Sequence, residues 1–242
     1  MAGPFQTGRF FWYTIFSMPT AVPAAGAGEL TRTTLRGQAL DRIRTLIVSG
    51  DLAPATNVIE RDLSAALGVS RTPLREALLG LEAEGLLRTE PGRGFFVQDL
   101  SKQEAGELYP LIGTLEALAV EQGRPMVSTT LQKHASRFRS SRSPARAVAA
   151  DNAWHETLIE SCDRPRTAAI LRQLRTAAAR YEYRFFATPA TIHTSANQHD
   201  AITAALRRKR YREAGALLYQ NWEQGFQRIR QHFGPLEDRS PS

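Results

Sequence analysis

A chain of 242 residues with 42% hydrophobic side chains has room for two modest domains and material for a core, which excludes wholesale disorder. The lone cysteine, Cys162, excludes an internal disulfide and fits a reducing compartment. The formal charge of +7 suggests a polyanionic partner, but its distribution argues against reading this from net charge alone. Residues 30–97 carry nine Lys and Arg against eight Asp and Glu, whereas residues 98–242 carry 21 against 15.

Residues 1–29 open with Arg9 and the apolar run from Phe10 to Phe16, which imitates a secretion signal. The run is short, so the segment is read either as a loosely ordered arm or as upstream of a true start at Met18. No apolar stretch approaches the ~20 residues needed to span a bilayer. From Leu35 to Ser49, Leu40, Ile43, Leu46 and Ile47 fall in helical register, and Gly50 ends the pattern.

The stretch Ile59 to Leu87 organises the rest. Leu63 and Leu67 sit one turn apart on a short helix, and Gly68 permits the positive φ of a tight turn that Val69 closes. Ser70 is a good N-cap for a second helix, with Leu74, Ala77, Leu78 and Leu81 on one face. Arg71, Thr72 and Arg75 lie at its start, off that stripe. This is a helix-turn-helix whose second helix carries donors suited to base edges and phosphates, with Arg61 on the preceding helix facing the backbone. Leu86 to Glu90 and Phe95 to Val97 read as strands around Pro91-Gly92-Arg93-Gly94, a wing that presents Arg93 and the Gly94 backbone to phosphates.

The runs SGDLAP, ERDLSAALGVSRTPLREAL and LEAEGLL resemble the DNA-binding domain of GntR-family transcriptional regulators, over Leu35 to Val97. The resemblance implies a winged-helix DNA-binding domain; a single winged helix makes few contacts, so a twofold dimer on a palindrome is expected.

Beyond Lys102 strand signals vanish. Helices are expected over Lys102–Gly123 (kinked or restarted at Pro110), Val127–Phe138, Ala147–Ser161, Arg166–Phe186, Ser195–Arg208 and Arg212–His232. In the first, Leu108, Leu111, Ile112, Leu115 and Leu118 form the apolar stripe. Arg139 to Pro144 reads as a loop, and Thr188-Pro189-Ala190 as a stop. The basic runs at Arg137–Arg146 and Arg207–Arg210 read as solvated charge at helix ends and linkers, with a second phosphate contact as the alternative. The expected fold is mainly α: a small α+β winged helix-turn-helix domain at 30–98 and an all-α bundle at 99–235, between an N-terminal extension at 1–29 and a tail at 236–242.

Asp151 and His155 are four apart and share a helix face, so the pair can hold one metal ion, with His199 arriving from a later helix. Such pairs are also frequent on exposed helices. Three patches resemble the C-terminal FCD effector domain of the FadR subgroup: Leu108-Tyr109 with Leu115-Glu116, Asp151 to Leu158, and Gln198-His199 with Ile202. The resemblance implies a divalent metal (zinc, nickel, iron or manganese) on Asp151, His155 and His199 and a fourth ligand near Asn221, where the family has histidine. A second departure is Ile112, where the family often carries an arginine beside an effector carboxylate. Tyr109, Trp154, Tyr183 and Arg184 are candidates to line the effector pocket, although aromatic residues at helical spacing are more often core. His134, His193 and His232 match nothing.

The sequence thus indicates a ligand-responsive transcriptional regulator, cytoplasmic and not membrane-bound. It would bind a double-stranded palindromic operator as a homodimer under control of a small-molecule effector. A metal-dependent hydrolase built on Asp151, His155 and His199 is the enzymatic alternative, though no HExxH signature or general base accompanies them. An architectural DNA-binding protein without effector is the other.

Overall fold

The computed structural model describes residues 34–186 and 188–233. The expectations for the extension at 1–29 and the tail at 236–242 lie outside them. Helix α1 (Leu35–Ser49) starts where the Thr34 hydroxyl accepts the Gly37 N–H at 3.2 Å, and it buries Ala39, Ile43 and Ile47. Helices α2 (Glu60–Leu67) and α3 (Arg71–Ala83) flank Gly68, whose φ of +65° makes the turn that a Cβ would strain. Leu74, Ala77, Leu78 and Leu81 of α3 are buried against α1, as their spacing requires. Ser70 occupies the N-cap position with extended backbone, yet its hydroxyl makes no cap hydrogen bond.

Strands β2 (Leu87–Glu90) and β3 (Gly94–Val97) form the wing, with Glu90 opposite Gly94 and Leu87 opposite Val97. Gly92 and Gly94 take φ of +74° and +88° in the turn between them. A further strand, β1 (Asn57–Val58), pairs with β3 to give the antiparallel order β1-β3-β2. Two residues are too few to show alternation, so the sequence did not announce it.

The second half is a bundle of α4 (Lys102–Gly123), α5 (Thr129–Arg139), α6 (Pro144–Glu160), α7 (Pro165–Phe185), α8 (Pro189–Arg207) and α9 (Tyr211–His232). Three expectations need correction. Helix α4 runs through Pro110 without restarting. Helix α6 begins at Pro144 and α8 at Pro189, because each proline follows a hydroxyl cap, Ser143 or Thr188, and fills the first turn. There the missing N–H has no helical partner to lose, so a proline read as a stop is a start. Leu111 and Leu118 are 46% and 45% exposed, outside the buried stripe of Tyr109, Ile112, Glu116, Ala119 and Val120.

Helix α7 also grips the junction between the winged domain and the bundle. The Arg180 guanidinium, almost wholly buried, donates to the Gln98 carbonyl at 3.1 Å and to both Glu104 oxygens at 2.8 and 3.0 Å. The Tyr181 hydroxyl accepts the Ser101 N–H at 3.0 Å and donates to Glu104. Among the described residues no helix is long and apolar enough to cross a membrane.

Candidate nucleic-acid interface and buried histidine site

The start of α3 is the polar end of an otherwise buried helix. Arg61, Arg71, Thr72 and Arg75 converge on one open groove of about 410 Å³ together with Glu60, Glu76 and Leu79. Arg75 is exposed and lies 3.4 Å from Glu60 across α2 and α3, a contact too weak and solvated to hold it against a stronger anion. Ser70 is exposed beside them. On the wing, Arg93 projects with its guanidinium 4.9 Å from the Phe96 ring centre, paired with Glu90, next to the backbone of Gly94. Arginines at a helix N-terminal turn and at a hairpin tip are what a reader of base edges and phosphates requires.

In the bundle, α6 and α8 bring together Asp151, His155 and His199, all buried, with one ligand atom from each lying within 4.8 Å of the others. His155 Nε2 is 3.8 Å and His199 Nε2 is 3.4 Å from the Asp151 carboxylate. The other nitrogen of His155, Nδ1, meets Glu116 Oε2 at 2.8 Å, and that same oxygen accepts the Trp222 indole N–H at 2.8 Å. Trp154 stacks flat on His199, ring centres 3.9 Å apart. Neither His199 nitrogen has a hydrogen-bond partner. Two imidazoles and a carboxylate turned towards one point, one ring braced from behind by a carboxylate, fit a divalent transition metal.

The electrostatics agree with the geometry. Burial, with the carboxylates of Glu182 and Glu116, pushes Asp151 well above the usual carboxylate range, while Arg175 opposes it. Burial, the His155 ring and Arg175 hold His199 far below the ordinary imidazole value, so it is neutral and able to ligate. His155 is lowered by burial despite Glu116. Burial alone would raise Glu116, but His155, Arg175 and the Trp222 N–H together bring it below its usual range.

Two family models match the chain: bacterial regulatory proteins of the gntR family over residues 35–97, and the FCD domain over residues 107–224. The probable D-xylose utilization operon transcriptional repressor of Paenarthrobacter nicotinovorans is 32% identical over 158 residues, 61% of this chain and 67% of that protein. The chain belongs to the GntR family. An uncharacterized HTH-type regulator of Bacillus subtilis, YdhC, is 36% identical over 84 residues, which is 35% of this chain and 38% of YdhC. The solved structure of Escherichia coli McbR/YncC superposes with a TM-score of 0.74 at 20% identity, covering 84% of this chain and 100% of that one, and so shares the fold. The protein is a GntR-family transcriptional regulator with an FCD domain.

Within this GntR regulator the pocket candidates do not surround one cavity. Tyr109 and Asn221 wall a small void of about 30 Å³ with Asp151, His155, Glu182 and Ser195. The Asn221 amide donates to Gln198 Oε1 at 2.9 Å. Trp154 is wholly buried beneath His199. Tyr183 is half-buried in a separate cleft, since consecutive helical residues diverge by about 100° and Glu182 already faces the void. The Arg184 side chain lies outside the described residues, as does that of His232. His193 is exposed and His134 half-buried.

Sequence reasoning missed two charges that complete the site, Arg175 and Glu182, and named Glu116 only within a patch of resemblance, without a role. Arg175 lies with its Nε 3.7 Å from Glu116 Oε1, and Glu182 holds its proton up to about 7 through burial, with Arg175 opposing and Glu116 reinforcing. Glu116 stands four residues after Ile112 and three before Ala119, Arg175 four after Leu171, and Glu182 four after Ala178. A charge in register with an apolar stripe was the available signal.

Proposed function

We propose that this GntR regulator binds a palindromic double-stranded operator as a homodimer in the cytoplasm, its affinity set by a small molecule received in the helical domain. The groove that gathers Arg61, Arg71, Thr72 and Arg75 carries the reading. Arg71 and Arg75 offer bidentate contacts to guanine, Thr72 and Ser70 offer hydroxyls to phosphate, and Arg93 with the Gly94 backbone follows the flanking groove. One winged helix contacts few base pairs, so paired half-sites are expected. Leu111 and Leu118, exposed one heptad apart on α4, provide an apolar strip for a second copy.

Asp151, His155 and His199 are the residues that would hold a zinc, nickel, iron or manganese ion, with Asn221 lining a small void beside Asp151 and His155. When bound, the cation would supply a positive anchor for an anionic effector such as a carboxylate. Glu116 positions His155, and Trp154 and Trp222 keep water out.

The test is selection of genomic DNA fragments on the purified full chain, followed by footprinting and light scattering. A symmetric footprint bound by two chains is expected. Sequence-independent retention with steep salt dependence would instead indicate an architectural protein, and a monomer on DNA at micromolar concentration would reject the dimer.

A further inference from the structure

A second cavity, far larger than the histidine void, lies apart from it. It is a cleft of about 600 Å³ where α1 of the winged domain faces α6 and α7 of the bundle. None of Asp151, His155 and His199 lines it. Its α1 wall includes Thr45 and Val48, its bundle wall Ala149, Ala169 and Arg175. Clefts of this size at domain junctions are where small molecules most often bind.

We propose that this cleft is a second ligand site, distinct from the histidine site, for a neutral amphipathic molecule that contacts the reading domain and the bundle at once. The chemistry of the walls selects the class. The two less exposed arginines there are already held, Arg44 by Glu84 at 2.7 Å and Arg175 by the Asn152 side-chain carbonyl at 2.7 Å, whereas the Arg172–Glu156 contact at 3.3 Å is solvated and weak. A charged ligand would have to break one of these pairs or enter the cleft uncompensated, which is costly. Val48, Val148, Ala149 and Ala169 offer apolar wall; the Thr45 and Thr176 hydroxyls, which donate to the Asp41 and Arg172 carbonyls, can accept from a ligand hydroxyl or amide, and the Gln173 amide can donate or accept.

The cleft also has a physical route to the histidine site. Arg175 lies almost wholly buried between the two, its Nε 3.7 Å from Glu116 and without a hydrogen-bond partner. Glu116 in turn accepts from His155. A ligand that disturbs the Arg175–Asn152 contact therefore acts on the residue that orients a histidine, and one that spans α1 and α7 favours a single setting of the two domains.

The experiment is fluorescence titration of the full chain with the neutral apolar probe N-phenylnaphthylamine. Saturable binding of one probe per chain is expected. Thr45→Trp fills the cleft from α1 and Ala169→Trp from α7. Both positions are exposed, and each variant is expected to keep the native melting temperature while weakening probe binding by roughly tenfold or more. Calorimetric zinc titration of both variants should match that of the native chain whatever that result is, which separates this site from the histidine reading. Absence of saturable binding by the native chain overturns the proposal, as does unchanged probe affinity in both filled variants.

Discussion

Asp151, His155 and His199 illustrate how little separates a ligand set from a destabilising cluster. The buried Asp151 carboxylate has the His199 and His155 Nε2 atoms at 3.4 and 3.8 Å without a hydrogen bond to either, so it is uncompensated unless a proton or a cation joins them. Calorimetric titration of chelator-treated protein with zinc or nickel is therefore expected to show binding of one ion per chain. His155→Ala should abolish it by removing one of two imidazoles. Asn221→His, in the small void beside Asp151 and His155, should tighten it, since imidazole is the better donor to these ions. No heat from the native chain and none from Asn221→His would show that the three side chains do not act as ligands. Glu182 yields a second prediction, for protein kept in chelator. Its carboxyl is raised from 4.5 to about 7, so the stability it contributes is fully present below its ordinary range and is lost as pH rises through 7. The melting temperature should fall between pH 5 and pH 8. Glu182→Gln, fixed in the proton-bearing form, should flatten that fall without removing it, because Asp151 is raised as well. An identical pH profile for variant and native chain would exclude Glu182 as its source.

Among the elements, α3 was the most legible and α6 and α8 the least. In α3 the apolar spacing, the turn glycine and the polar first turn all specify the same helix, and its four buried residues are the four expected. At Ser143-Pro144 and Thr188-Pro189 two rules competed: proline as breaker and proline as first helical residue. The hydroxyl directly before each decides for the second. The winged fold could be read because local turn chemistry writes it. The split between void and cleft could not, because it depends on which side of α7 each residue takes once the bundle has packed. For α3 the consequence is a mutational one. Arg75 is exposed and its contact with Glu60 contributes little to stability, so Arg75→Ala should leave the thermal melt unchanged. It should weaken operator binding by about 1–3 kcal/mol, the worth of one good base contact. Gel-shift titration beside a circular dichroism melt checks both halves, and unaltered operator affinity would remove Arg75 from the reading surface.

At the scale of the whole molecule, α7 is the element through which the bundle can address the DNA-reading domain. Three consecutive residues face three ways: Glu182 towards the histidine void, Arg180 onto the carbonyls of the junction, and Tyr181 onto Ser101 and Glu104. A shift of α7 driven by ligand at the void must therefore either carry residues 98–101 with it or break those hydrogen bonds. Coupling of this kind is a difference in contacts between two states, so it can be cut without touching either site. Tyr181→Phe does this conservatively. It keeps the ring packed against Tyr109 and Phe233 and deletes only the hydroxyl that ties α7 to Ser101 and Glu104. Each lost hydrogen bond costs about 1 kcal/mol, too little to unfold a domain of this size. Operator affinity should be measured with and without saturating zinc. If zinc changes it in the native chain, Tyr181→Phe is expected to reduce the ratio, though not to one, since Arg180 still holds Gln98 and Glu104, while zinc affinity itself stays as it was. A ratio equal to the native one would mean that the signal reaches the reading domain by another route, with α1 packed on α7 as the next element to cut.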